Sequence, residues 1–168
     1  PMEGMSAQQW QARNLALLLQ SGMVGEAARL AAVALDSESK LDPESIRRLM
    51  AAAADALDFG HTEAVRTVLQ ALSAHVGEGD RAALLALLGR AYESGGDHRA
   101  AAEAYLIAAA SAKNPEEDRA SLEARMAAAS NLVRAGLHAD ARAVYAWIAA
   151  HAKLPEVRQA ATRKLASL

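Results

Sequence analysis

Apolar positions recur every three to four residues along nearly the whole chain, which is the spacing of one helix face, and Gly, Asn, Asp and Pro gather between the periodic stretches. The pattern predicts nine helices, near residues 7–21, 24–36, 43–58, 61–76, 80–94, 97–113, 115–135, 138–152 and 155–166. Two of them open with proline behind a capping residue, Pro43 after Asp42 and Pro115 after Asn114. Glu44, Glu116 and Glu117 then face the positive end of the helix dipole. Asp80 and Asp97 read as caps as well.

The punctuation is itself periodic. Gly22, Gly60, Gly96 and Gly136 stand at intervals of 38, 36 and 40 residues, each just before a helix with a shared opening. That opening is Val24-x-x-Ala27, His61-x-x-Ala64, His98-x-x-Ala101 and His138-x-x-Ala141. Four and seven residues past these alanines come Ala31 and Ala34, Val68 and Ala71, Tyr105 and Ala108, and Tyr145 and Ile148, one face of each helix. In this register the second hairpin has a turn one residue shorter than the others. Four helix-turn-helix hairpins, 7–36, 43–76, 80–113 and 115–152, with helix 155–166 capping the last, predict an all-α fold. They form an α-solenoid that makes one domain of residues 1–168.

The third hairpin resembles the tetratricopeptide repeat: Leu85, Leu88, Gly89, Tyr92, Gly96, Asp97, Ala101, Tyr105 and Ala108 stand in the order and spacing of that family's signature. The fourth keeps Gly136, Ala141, Tyr145 and a late Pro155, with Ala129 in place of the first-helix glycine, and the first two hairpins share only the periodicity. The repeat here is a few residues longer than the family's roughly 34. The resemblance implies a right-handed solenoid whose first helices line a concave, protein-binding groove. On the matching positions it implies Gln9, Ala12, Arg13 and Ala16, then Arg47, Met50, Ala51 and Ala54, then Ala83, Ala86, Arg90 and Glu93, then Met126, Ala127, Ser130 and Val133. Co-chaperone members of the family grip a C-terminal carboxylate through Lys, Asn and Arg side chains. The corresponding positions here are mostly Ala, Met and Ser, with Arg47 and Arg90 the cations, so that clamp is not expected.

Composition narrows the chemistry. The 168 residues include 44 Ala and 22 Leu but 1 Phe, a helix-forming mixture that excludes a β-sandwich or barrel. With no Cys there is no disulfide, thiolate zinc site or thiol catalysis. A net charge of −2, from 18 basic and 20 acidic residues, argues against a nucleic-acid or anionic-lipid footprint. No apolar run reaches the roughly 20 residues of a membrane span, so no membrane insertion is expected. Gly77-x-Gly79 and Gly95-Gly96 read as turns, and no phosphate-cradling or nucleophile motif is present. His61, His98 and His138 share a repeat position one hairpin apart, about 10 Å, too far to share a metal. His75 and His151 close second helices, and Glu116, Glu117 and Asp118 form a solvated helix start. Arg90 and Glu93 are spaced for an i, i+3 pair.

A non-enzymatic adaptor or chaperone-like module is therefore expected, with no cofactor and no metal, holding a peptide or helix of a partner protein. The resemblance implies service in a secretion, export or envelope complex, and the Ala, Arg and Leu bias points to a GC-rich bacterial genome. The alternative is a self-assembly element stacking through its ends into a homo-oligomer. Trp10, on a first helix that no hairpin precedes, reads either as core or as an exposed end interface, whereas Trp147 reads as core beneath the ninth helix. No signal peptide is visible after Pro1, with Met5 an alternative start, so a cytoplasmic location is expected, or a periplasmic one if a signal segment was removed.

Overall fold

The computed structural model describes residues 4–35 and 40–168, and among them the regular structure is entirely helical. Nine α-helices run α1 (Ala7–Gln20), α2 (Val24–Ala34), α3 (Pro43–Asp58), α4 (Thr62–Leu72), α5 (Glu78–Ser94), α6 (His98–Ala110), α7 (Arg119–Arg134), α8 (His138–His151) and α9 (Pro155–Ala166). A single 3-10 turn, Ser73–His75, follows α4. The expected ends at Pro1 and Asp36 lie outside the described residues. The helices fall into two compact units, Pro1–Gly95 and Gly96–Leu168. In the first, α1 packs on α2 and α3, α2 on α4, α3 on α4 and α5, and α4 on α5. In the second, α6 packs on α7, α7 on α8, and α9 closes against α8 and α7.

The four periodic glycines take the left-handed conformation that a side chain would strain, with φ of +79°, +89°, +80° and +78° at Gly22, Gly60, Gly96 and Gly136. At Gly22 the turn is closed by Gly22 N–H donating to Leu19 O (3.2 Å) and Met23 N–H to Leu18 O (2.9 Å). The same pair of bonds recurs at Gly60 and Gly136, so α1, α3 and α7 each end in a Schellman motif that satisfies their last carbonyls.

Those turns fix the register and correct one expectation. Helices α2, α4, α6 and α8 all begin two residues after their glycine, so the second turn is not shorter. His61 is the cap residue of α4, one place before the positions that His98 and His138 occupy on α6 and α8. The inward face of α4 is therefore Val65, Leu69 and Leu72 rather than Ala64, Val68 and Ala71. Counted five, nine and twelve residues from each glycine, the positions are Ala27, Ala31, Ala34; Val65, Leu69, Leu72; Ala101, Tyr105, Ala108; and Ala141, Tyr145, Ile148, and all are buried. Val68 is buried too, which is how a helix with four apolar residues in succession around one face concealed its register.

Two of the expected helix starts also differ. Asp42 caps α3 as expected, its carboxylate accepting from Ser45 N–H (3.1 Å) and Ser45 Oγ (2.7 Å), with Pro43 first in the helix. Asp97 likewise caps α6 through Ala100 N–H. Asp80, however, lies inside the first turn of α5, whose cap is Gly77. Asn114 and Pro115 do not start α7. Asn114 O instead accepts from Glu117 N–H and Asp118 N–H in a separate turn, and Asp118 caps the helix through Ser121 N–H at 2.7 Å. The turn is held from outside. Lys153 N–H donates to Glu116 O (2.8 Å), Lys153 Nζ reaches Glu117 (2.6 Å), and the buried Ser121 Oγ donates to Ala109 O (2.8 Å) in the last turn of α6, a carbonyl that also accepts from Ala112 N–H (3.4 Å).

Candidate functional site

Helices α3 and α5 pack on each other in the first unit, and Ile46, Leu49, Leu84 and Leu87 of these helices are buried in its core cluster. Each helix also lines an open hollow with a matching stripe, in which Leu87 is itself buried. On α3 it is Arg47, Met50, Ala51 and Ala54, and on α5 it is Ala83, Ala86, Leu87 and Arg90. Both sets follow the i, i+3, i+4, i+7 spacing of one helix face. Together they line an open groove of about 440 Å³ with an alanine, methionine and leucine floor and no carboxylate in its walls.

The groove carries a cation on each helix. Arg90 is partly neutralised by Asp58, at the end of α3, which accepts from its Nη2 at 2.8 Å. The expected partner within α5, Glu93, sits half-buried in the last turn of that helix. Arg47 is exposed and makes no ion pair among the described residues, so the groove keeps a positive rim. Its alanines are small, and Met50 is unbranched and conformationally adaptable.

Four of the groove residues expected from the sequence, Arg47, Met50, Ala54 and Arg90, thus meet in one place. Arg13 borders a different hollow of about 300 Å³, a polar one shared with Gln9, Asp42, Glu44 and Arg48. Met126, Ser130 and Val133 occupy one face of α7 in the second unit and are half-buried, Met126 and Val133 packing on a cluster that includes Leu122, Ala129 and Tyr145. Trp147 packs against the same cluster and is half-buried, so part of its ring stays accessible. The Arg125 guanidinium lies 4.2 Å from the Trp147 ring centroid, and His151 stacks on the ring at 5.0 Å. Burial pulls the Arg125 pKa below its ordinary value, and its Nε is buried with no hydrogen-bond partner. No spacing in the sequence marks Arg125 for this contact, because it joins two helices. Trp10 is 47% exposed.

The histidines do not converge. His98 Nδ1 meets the buried Asn131 Oδ1 at 2.8 Å, a ring nitrogen of His75 contacts Leu35 O, and His151 Nδ1 meets Trp147 O at 2.9 Å. Among the described residues no group of three His, Asp or Glu side chains is placed to hold a metal ion, and no helix is long and apolar enough to cross a membrane. No protein-family model, curated protein or solved structure matches this chain.

Proposed function

We propose that the chain is a non-enzymatic protein-interaction module, a tetratricopeptide-like α-solenoid whose α3–α5 groove receives a peptide or helix of a partner protein. The observation that carries this reading is the matched pair of stripes, 47–50–51–54 and 83–86–87–90, which leaves an apolar trough of peptide width between two arginines. The four left-handed glycines and the buried positions that follow them at equal distances support the repeat architecture. An amphipathic helix or extended strand with apolar anchors fits such a trough.

Affinity capture from the host's lysate tests the proposal, with the parent chain beside Ala83→Glu and Met50→Glu variants. Ala83 is exposed, so its substitution charges the groove without touching the core. A protein retained by the parent and lost by a variant with unchanged helical circular dichroism supports the groove as the binding site. Equal retention by the parent and both folded variants refutes it.

A further inference from the structure

Among the described residues, Arg125 is the one whose side chain has a buried polar atom, Nε, without a hydrogen-bond partner. Its guanidinium lies 4.2 Å from the Trp147 ring centroid, and no carboxylate, carbonyl or hydroxyl of the described residues accepts from it. Counted eleven residues back from the turn glycines, Leu49, Leu85 and Arg125 hold the same place on α3, α5 and α7, and Leu49 is fully buried. A half-buried cation thus stands where the earlier repeats pack leucine.

The acidic side chains nearest in the fold are engaged elsewhere. Glu116 and Glu117 pair with Lys153, Glu123 and Glu156 pair with Arg119, and Asp118 caps α7. Arg119 and Lys153 therefore serve two carboxylates each, while Arg125 has no counter-charge among the described residues. The indole face attracts its positive charge but supplies no oxygen to its N–H groups. Nε is shut off from solvent, whereas Nη1 and Nη2 are not. The open edge of the guanidinium is the one that a carboxylate grips through two parallel N–H···O bonds.

We infer that Arg125, seated on Trp147, receives one carboxylate of a ligand, carried beside an apolar group that covers the accessible part of the indole. His151 restrains that indole, stacking on it at 5.0 Å and donating from Nδ1 to Trp147 O (2.9 Å). A phosphate monoester fits less well, because Arg119 and Lys153 are already neutralised and nothing remains to balance a second negative charge. An acidic side chain and a free chain end present the same group. The site lies in the second unit and stands whether or not the α3–α5 groove takes a guest.

Nuclear magnetic resonance of the isotope-labelled full chain tests the inference through the Arg125 Nε–H signal, identified by its loss in Arg125→Gln. Three peptides are titrated at fixed ionic strength: acetyl-Leu-Glu-Leu-amide, acetyl-Leu-Gln-Leu with a free C-terminus, and acetyl-Leu-Gln-Leu-amide. The first carries a side-chain carboxylate, the second a terminal one and the third none. At least one carboxylate peptide should shift the signal saturably and bind about tenfold or more tighter than the amide, the increment of a charge-assisted pair. A stronger first peptide assigns an acidic side chain as the ligand, and a stronger second assigns a chain end. In Arg125→Gln with unchanged circular dichroism, followed through the Trp147 indole N–H signal, the advantage of the carboxylate should vanish. Equal binding of all three peptides, no saturable shift up to about 50 mM, or tighter binding of inorganic phosphate than of either carboxylate peptide overturns the inference. So does an Arg125→Gln variant that keeps the preference.

Discussion

Alanine at Gly60 and alanine at Gly25 are the same chemical change with opposite expected outcomes. Gly60 has φ of +89° and Gly25 lies within α2, yet a methyl group added at either meets nothing within 4 Å. Packing therefore cancels, and the backbone alone decides. At Gly60 the left-handed conformation costs an L-residue roughly 1–2 kcal/mol, reduced by the lower entropy of the unfolded alanine chain, for a net loss of about 1 kcal/mol. At Gly25 alanine gains about 0.5–1 kcal/mol from helix propensity. The two variants should differ by roughly 1.5–2 kcal/mol, which at a urea slope of about 2 kcal/mol/M separates their midpoints by roughly 0.8–1 M. Both sites lie in the first unit, so far-ultraviolet circular dichroism during urea unfolding follows the same transition in each. Coincident midpoints, or a Gly60→Ala midpoint above the parent's, would show that the turn does not need its left-handed residue.

Leu69→Ala should cost about 2–5 kcal/mol in the same assay because Leu69 is fully buried, whereas Thr67→Ala on the exposed side should stay within roughly 0.5 kcal/mol. Asp42→Ala should cost about 1 kcal/mol at pH 7 through loss of the α3 cap. The Ser45 hydroxyl and amide hold the Asp42 carboxyl below its ordinary pKa, so its contribution is complete above about pH 4, the unfolded value, and disappears as pH falls through the lower folded value. Parent and variant should therefore converge in stability near pH 2, and a gap that persists there would contradict the assignment. Ser121→Ala should lose about 0.5–1.5 kcal/mol through removal of the buried hydrogen bond to Ala109 O, read as a lower thermal midpoint.

What the chain reveals before folding is mostly local. Glycines that need positive φ, Asp42 with Pro43 at a helix start, and apolar residues three and four apart all act within one or two turns, so helices and turns are legible. The register of α4 is less so, because Ala64, Val65, Val68, Leu69, Ala71 and Leu72 supply two overlapping stripes and only the distance from Gly60 chooses between them. Pro115 misled for a related reason. It has the local form of a helix start, but Asn114 O is engaged by a tight turn and Lys153, from a distant part of the chain, supplies the bonds that hold it. The groove was half legible. Counted back from Gly60 and Gly96, Arg47 matches Ala83, Met50 matches Ala86 and Ala54 matches Arg90, and the period that relates these pairs also sets α3 beside α5. Arg13, nine residues before Gly22, matches Ala51 and Leu87, yet it lines a hollow with Asp42 and Glu44 of the next helix start, which a repeat-based alignment does not show.

The segment from Lys113 to Arg119 illustrates what its outside bonds accomplish. By composition it is an ideal site for nicking: polar, acidic, with a basic residue at each end for trypsin. A protease must draw such a stretch out into an extended strand, however, and here the Glu116 carbonyl and the Glu117 carboxylate are both bound to Lys153, just past α8, and the Ser121 hydroxyl to Ala109, in the last turn of α6. Cleavage after Lys113 then requires the contacts with Lys153 and Ala109 to open first. The susceptibility of this link is thereby tied to the opening of the second unit rather than to the flexibility of a loop.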